Sequence, residues 1–493
     1  MPIPVESFIL DPRFDGTLQQ QIRRIVSDGI LSGRFRPGDK LPSSRRLATH
    51  LGVSRITVTL AYTELLSGDY LAARGRSGYY VSDTAPQPAG FDKPAAPAAD
   101  TVDWAQVIER PLSGVAVPEK PADWRTYPYP FIYGQADDTL FDHRNFRQCA
   151  LQALGKREFP SVTADFFERD DPKLVEHIAR HTLPRRGINA RPDEILLTLG
   201  AQNALWLCAE LLLDAGSTAA MENPGYPGLR LVLRQRSCKV VPVAVDGDGL
   251  PPDDLPSGAD VVFVTPSHQC PTGVTMPVDR RRALLERASR DGFLVVEDDY
   301  EFEMPFARPP APALKSLDTE GRVIHIGSFS KSMFPGLRLG YVVGAARFIR
   351  ELRALRAAVL RHPPGQVQRT VANFLALGHY DSLIARMAKA FRARREAMGA
   401  AIARHGLEIA GAPVAGGSSF WMKAPAGVDT RVLAKSLAAK GVLIEPGDVF
   451  FDEADAPHGY YRLAYSSIDA KRIAKGIELI ADELRSAGHM GGQ

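Results

Sequence analysis

The stretch "SFSKSMFPGLRLGY", residues 328–341, decides how most of this chain folds. It starts where a Val/Ile-rich run, "RVIHIGS" (322–328), ends, and it sets one lysine, Lys331, between two serines. A Pro-Gly-Leu-Arg turn follows, and then a second apolar run, "YVVGA" (341–345). Short β-branched runs bounded by Gly, Pro and Ser read as buried strands. Others lie upstream: "EILLTL" (194–199), "TAAMEN" (218–223), "KVVPVAV" (239–245), "DVVFVT" (260–265) and "FLVVEDD" (293–299). Helical stretches such as "AQNALWLCAELLL" (201–213) separate them. Strands alternating with helices predict an α/β unit around a largely parallel sheet. Downstream, "SSFWMKA", "GVLIEPG" and "YYRLAYSS", with a terminal helix over 470–484, predict a smaller α+β subdomain.

Sheets of this kind bind ligands beyond the carboxyl ends of their strands. "TLGAQNAL" (198–205) passes from a strand through Gly200 straight into a helix, whose free N–H groups suit an anion. "VVEDDYEFEM" ends another strand with two aspartates and Tyr300, and "VTPSHQCPTG" ends a third. Taken singly, Lys331 reads as a surface lysine, Asp298 as a cap and Arg338 as a salt-bridge partner. At successive strand ends, they supply an amine, a carboxylate, a phenol, an arginine and a phosphate cradle. That set meets the needs of pyridoxal 5'-phosphate, whose aldehyde takes an amine, whose ring nitrogen stays protonated beside a carboxylate, and whose phosphate wants Arg, hydroxyls and amides.

The first eighty residues read differently. A helix is predicted over 17–33, a short one from Ser43 or Ser44 to Leu51-Gly52, and a third from Ser54 to Gly68. "YLAARGRSGYYVS" (70–82) reads as a β-hairpin, which completes a winged helix-turn-helix. Residues 1–82 hold eleven Lys or Arg against seven Asp or Glu, while the whole chain has a net charge of +3. Lys40 to Thr63 carries four basic residues and no acid, a surface suited to a phosphate backbone as well as to plain solvation. The Pro/Ala-rich segment 83–125 reads as a semi-stiff linker, which leaves 126–493 as the second folding unit. The chain has 493 residues, 45% hydrophobic and 24% charged, with no signal-peptide pattern and no apolar run long enough to span a membrane, so a cytoplasmic protein is expected. Four scattered cysteines without metal-ligand spacing argue against zinc and against a disulfide framework.

Taken in order, "LPSSRRLATHLGVSRITVTLAYTELLSGDYL", "LTLGAQNAL", "ENPGYPGLR", "TPSHQCPTG", "VEDDYEFE", "SFSKSMFPGLRLGY" and "YYRLAYSS" resemble the MocR/GabR subfamily of GntR transcription regulators. Within it, the region from about Ile132 to Ala487 looks like a fold type I aminotransferase. The resemblance implies that Lys331 forms the internal aldimine with pyridoxal 5'-phosphate, that Asp298 pairs with the pyridinium nitrogen, that Tyr300 bonds the ring hydroxyl and that Tyr226 stacks on the ring. It assigns the phosphate to Gly200, Ala201, Gln202, Ser328, Ser330 and Arg338, and the acid group of an incoming amino compound to Arg462. For DNA it nominates Arg45, Ser54, Arg55 and Thr57, with Arg74, Arg76 and Gly78 at the wing; Arg55 and Thr57 also lie at the end of the helix that enters the major groove. The chain departs from the aminotransferase pattern at Cys270, where Asn is usual. It departs again after Tyr226, where the nearest arginine is Arg230 rather than a residue matching the second acid-binding arginine of the GABA-sensing regulator.

The resemblance implies a homodimeric regulator of promoter DNA that senses a small primary amine with an acid group, amino-acid-like or an aminosulfonate, by forming an external aldimine. Family members answer to GABA, taurine or ectoine-derived amino acids. The alternative is a working aminotransferase with a DNA-binding appendage.

Overall fold

The computed structural model describes residues 2–86, 101–108, 118, 120–301, 311–411, 417–452 and 456–486. The chain divides into two compact units, 1–111 and 112–493.

In the first unit, α1 (Leu18–Leu31) is capped by Thr17, and Gln20 reaches back to the Thr17 N–H, so two of the donors that every helix start leaves unpaired are satisfied together. Of the two serines open as caps for α2 (Ser44–Leu51), Ser43 takes the role, accepting from the Arg46 N–H, and Gly52 ends the helix at φ +67°. Ser54 caps α3 (Arg55–Ser67) through the Thr57 N–H. Strands β1 (Leu71–Ala73) and β2 (Tyr79–Val81) pair antiparallel, Leu71 opposite Val81. Ile22, Val26, Leu47, Val58, Ala61, Leu65 and Val81 form one buried core, and the Tyr62 hydroxyl, buried with them, donates to the Pro42 carbonyl at 3.0 Å. This is the winged helix-turn-helix that the sequence predicts.

In the second unit, β3 (Tyr129–Pro130) precedes a seven-stranded sheet of β4 (Ile195–Thr198), β5 (Thr218–Asn223), β6 (Lys239–Ala244), β7 (Val261–Val264), β8 (Leu294–Asp299), β9 (Val323–Ser328) and β10 (Gly340–Val343), in the order 4-10-9-8-7-5-6. Each of these strands coincides with one of the apolar runs. The neighbours from β6 to β9 are parallel, but β10 runs antiparallel to both β9 and β4. The helix Gly200–Leu212 packs Ala204, Leu205 and Cys208 against Leu196, Ile326 and Val342 of the sheet. A second, four-stranded sheet aligns Glu408–Ile409, Ser419–Lys423, Tyr460–Ala464 and Glu445–Pro446. Val442–Leu443 pairs in parallel with β3.

The end of the segment read as linker behaves otherwise. Trp124 is buried against Ile132 and Leu443, so the large unit begins upstream of residue 126. A tryptophan has enough apolar surface to anchor a Pro/Ala-rich stretch that its average composition would leave solvated.

Candidate functional site

Lys331 lies in the loop between β9 and β10, which Phe329 N–H to Leu339 O closes at 3.0 Å. Two buried strands therefore hold both ends of the loop. Its Nζ stands 4.3 Å from the centre of the Tyr133 ring. It also lies close to Gly134, where a Cβ would come within 2.4 Å of it, and Gly134 sits at φ +71°, a conformation that favours glycine. Lys331 lines a cleft with Glu301, Ser330, Ser418 and Ser466. Burial, and then the charge of Lys120, push the Lys331 ammonium down to about 8.

Strand alternation along β8 sends Asp298 to one face and Glu297 and Asp299 to the other. On the far face, Asp299 takes Arg186 at 2.7 Å and Glu297 takes His325 at 2.9 Å, so those buried acids are already paired. Asp298 shares a cavity with Tyr226, and its Oδ1 is buried without a hydrogen-bond partner. Burial first, with the charges of Asp299 and Glu222, raises its pKa to about 7. A buried, unpartnered carboxylate oxygen is costly unless a cation or donor arrives.

Gly200, at φ +78°, starts its helix within reach of Arg338 and Ser330: a Cβ there would lie 3.6 Å from the guanidinium and from the Ser330 Oγ. Arg338 itself adopts φ +49° and donates to the Leu199 carbonyl at 3.2 Å. Ser328 and Ser330 are buried, the Ser330 N–H donates to Ser328 Oγ at 3.2 Å, and both the Ser330 Oγ and the Gln202 Oε1 lack a partner. Ala201 completes the first turn of the helix. A helix start, the Ser330 hydroxyl and the Arg338 guanidinium thus lie close together, and of the unpaired atoms the Ser330 Oγ suits a phosphate oxygen and the Asp298 Oδ1 a protonated ring nitrogen, whereas the Gln202 Oε1, an acceptor, suits neither. Burial, followed by the Asp298 charge, pushes the Tyr226 hydroxyl up to about 12. The Tyr300 hydroxyl donates to the His268 carbonyl at 2.8 Å, which leaves its oxygen as an acceptor for a ring hydroxyl.

Arg462 is buried and, contrary to an arginine waiting open for an acid, it meets one of the chain's own. Its Nε donates to Glu445 Oε2 at 2.9 Å, and its guanidinium lies 4.1 Å from the Tyr133 ring and 4.7 Å from that of Phe450. The cause is register, because Glu445 stands directly across the strand pair from Arg462. Arg230 is committed elsewhere, to Asp452 and to the carbonyls of Val449 and Phe450. Three residues of this region were not singled out from the sequence: Tyr133, Glu445 and Lys120, whose Nζ donates to the Tyr133 carbonyl. The aromatic cluster "YPYPFIYG" (127–134) was the available signal for Tyr133.

In the first unit, Arg45 and Arg55 are exposed, and the Ser54 and Thr57 hydroxyls lie 2.8 Å apart at the start of α3. Ile56, 71% exposed beside Arg55, is an apolar side chain at the same helix end that sequence reading passed over. At the wing, the Arg74 guanidinium packs 4.8 Å from the Tyr80 ring, and Gly78 holds φ +109°. The side chain of Arg76 lies outside the described residues. No helix among the described residues is long and apolar enough to cross a membrane.

Comparison with known proteins agrees with both halves. Residues 18–81 match the family of bacterial regulatory proteins, gntR type, and residues 139–480 match aminotransferase class I and II. The chain is 59% identical to the HTH-type transcriptional regulator TauR of Rhodobacter capsulatus, over 98% of this chain and all of the relative. It is 29% identical to the probable rhizopine catabolism regulatory protein MocR of Rhizobium meliloti, over 97% of this chain and 95% of that one. Among solved structures, the α-aminoadipate aminotransferase LysN of Thermus thermophilus, complexed with N-(5'-phosphopyridoxyl)-L-leucine, superposes with a TM-score of 0.69 at 26% identity, covering 78% of this chain and 99% of its own. The kynurenine aminotransferase of Pyrococcus horikoshii gives 0.68 at 26% identity, covering 75% and 95%. Such a fold implies pyridoxal phosphate binding, and the helix-turn-helix implies DNA binding. With a GntR-type reader and an aminotransferase-like unit in one chain, it belongs to the MocR/GabR subfamily of GntR transcription regulators.

Proposed function

We propose that this regulator binds operator DNA through α2, α3 and the wing, and uses pyridoxal 5'-phosphate in its large unit to sense a small primary amine that carries an acid group. The observation that carries this reading is Asp298, a buried carboxylate with one unpartnered oxygen in a cavity shared with Tyr226. A unit that had lost its cofactor would gain by replacing such an acid with a neutral residue. When bound, the group's aldehyde condenses reversibly with primary amines. The chain's own residues do the rest: Lys331 supplies the resident amine, Asp298 holds a proton at the ring nitrogen, and the Gly200–Gln202 turn, Ser328, Ser330 and Arg338 grip the phosphate. Tyr226 covers the ring. The name of the relative TauR suggests taurine, so an aminosulfonate is the foremost candidate effector. Binding it must favour one arrangement of the protein on DNA over another.

The fit to aminotransferases of known structure also supports the enzyme reading, and Lys331→Ala separates the two. An enzyme without its lysine loses both the amine and the base for proton transfer, so turnover vanishes. For the sensor, the variant is expected to fold and bind operator DNA, but to lose the lysine-bound cofactor absorption and the transcriptional response to taurine. Mobility shift and a reporter assay measure both. A wild-type response in Lys331→Ala rules out a need for the lysine-bound cofactor in sensing, and wild-type turnover with a keto acid at ordinary rates, on the order of 1 to 10³ per second, establishes the enzyme.

A further inference from the structure

We propose that Lys120 is a specificity-determining residue that takes the acid group of the amine effector, a sulfonate or carboxylate, beside the lysine site. The inference rests on the sensor reading above. Glu445 is buried and accepts from Arg462 through Oε2, while its Oε1 has no hydrogen-bond partner and lies 3.9 Å from the Lys120 Nζ. Two cations, Arg462 and Lys120, thus face one carboxylate, and one positive charge is left over. At 3.9 Å the Lys120–Glu445 contact is too long for a hydrogen bond. Of the three ammonium protons, one goes to the Tyr133 carbonyl, and the other two have no hydrogen-bond partner among the described residues. The Lys120 side chain is 30% exposed, whereas Glu445 is 1% exposed, so of the two the lysine is the more accessible to solvent.

Tyr133 ties this cation to the site. Its carbonyl holds Lys120, and its ring lies 4.3 Å from Lys331 Nζ and 4.1 Å from the Arg462 guanidinium. Lys120 is also the charge that most strongly depresses the Lys331 ammonium. An amine seated at Lys331 therefore carries its acid into a field already biased for an anion. Glu445 holds the Nε of Arg462, and Lys120, with two further N–H groups and the more exposed side chain, is a second cation to which an acid can add. It lies nine residues after Pro111, near the start of the second unit.

The test uses the full-length, cofactor-loaded protein and three probes: taurine, 4-aminobutanoate, and 2-aminoethanol as an amine without an acid. Affinities are read from the change in cofactor absorbance and from the operator mobility shift. Wild type is expected to favour the two acids over the alcohol. Lys120→Gln is expected to lose about tenfold or more of that preference, the worth of one charge-assisted hydrogen bond, with little change for 2-aminoethanol, and Lys120→Arg to restore part of it. If Lys120→Gln keeps the wild-type preference, or loses thermal stability with the preference intact, Lys120 is only a counter-ion and the inference falls alone. If wild type responds to none of the amines, the sensor reading falls and the inference with it.

Discussion

Asp298 carries a pH signature that no surface carboxylate would give. Its folded-state pKa is raised to about 7, by burial and then by Asp299 and Glu222, so the stability it lends is fully present below the ordinary carboxyl range and is lost as pH rises through about 7. The cofactor-free protein should therefore melt higher at about pH 5 than at about pH 8 on this account, and Asp298→Asn should flatten that slope in thermal scans. The same substitution should weaken cofactor binding on the order of 10- to 100-fold, because it removes the charge that keeps the ring nitrogen protonated. Lys331 gives the opposite kind of signature. With its pKa lowered to about 8, the reactive neutral amine accumulates through that pH, so the rate of reconstitution with pyridoxal phosphate should climb there and level off above it. Lys120→Gln should move the climb to higher pH. Asp298 and Lys331 stood out in the sequence because they fall at or just beyond the carboxyl ends of apolar runs, where such sheets bind ligands, and Arg338 because it closes the loop that carries Lys331. Tyr133, Glu445 and Lys120 did not, because they meet through the pairing of β3 with Val442–Leu443 and of Glu445 with Arg462, and neither register is written in local spacing.

Among the elements, the helices of the first unit were legible to within a residue or two, because Thr17, Ser43, Ser54, Gly52 and Gly68 mark their ends chemically. The direction of β10 was not, since an apolar run buried on both faces reads the same either way. Nor was the foothold of Trp124, hidden by the composition around it. The exposed start of α3 yields a direct test. Arg55→Ala should weaken operator binding while leaving cofactor absorption intact, because α3 lies in a different compact unit from Lys331. Footprinting at several salt concentrations assigns the contact: a salt slope reduced by about 1 without lost sequence preference points to phosphate, whereas relaxed preference points to a base edge.

At the scale of the whole molecule, we expect a homodimer whose two winged helices read two short repeats in the operator, and sedimentation of the cofactor-loaded protein at micromolar concentration checks it. A purely monomeric species would overturn that expectation. The strand order of the large sheet also bears on how the molecule is made. β4 is an edge strand whose neighbour in the sheet is β10, so Ile195–Thr198 stays unpaired until Gly340–Val343 has been synthesised. At about 5 to 20 residues per second, that interval lasts roughly 7 to 30 seconds on the ribosome. The winged helix is complete in sequence by Val81, well before that interval begins. On the proposed reading, a chain cut short in that interval would carry the DNA reader without its sensor.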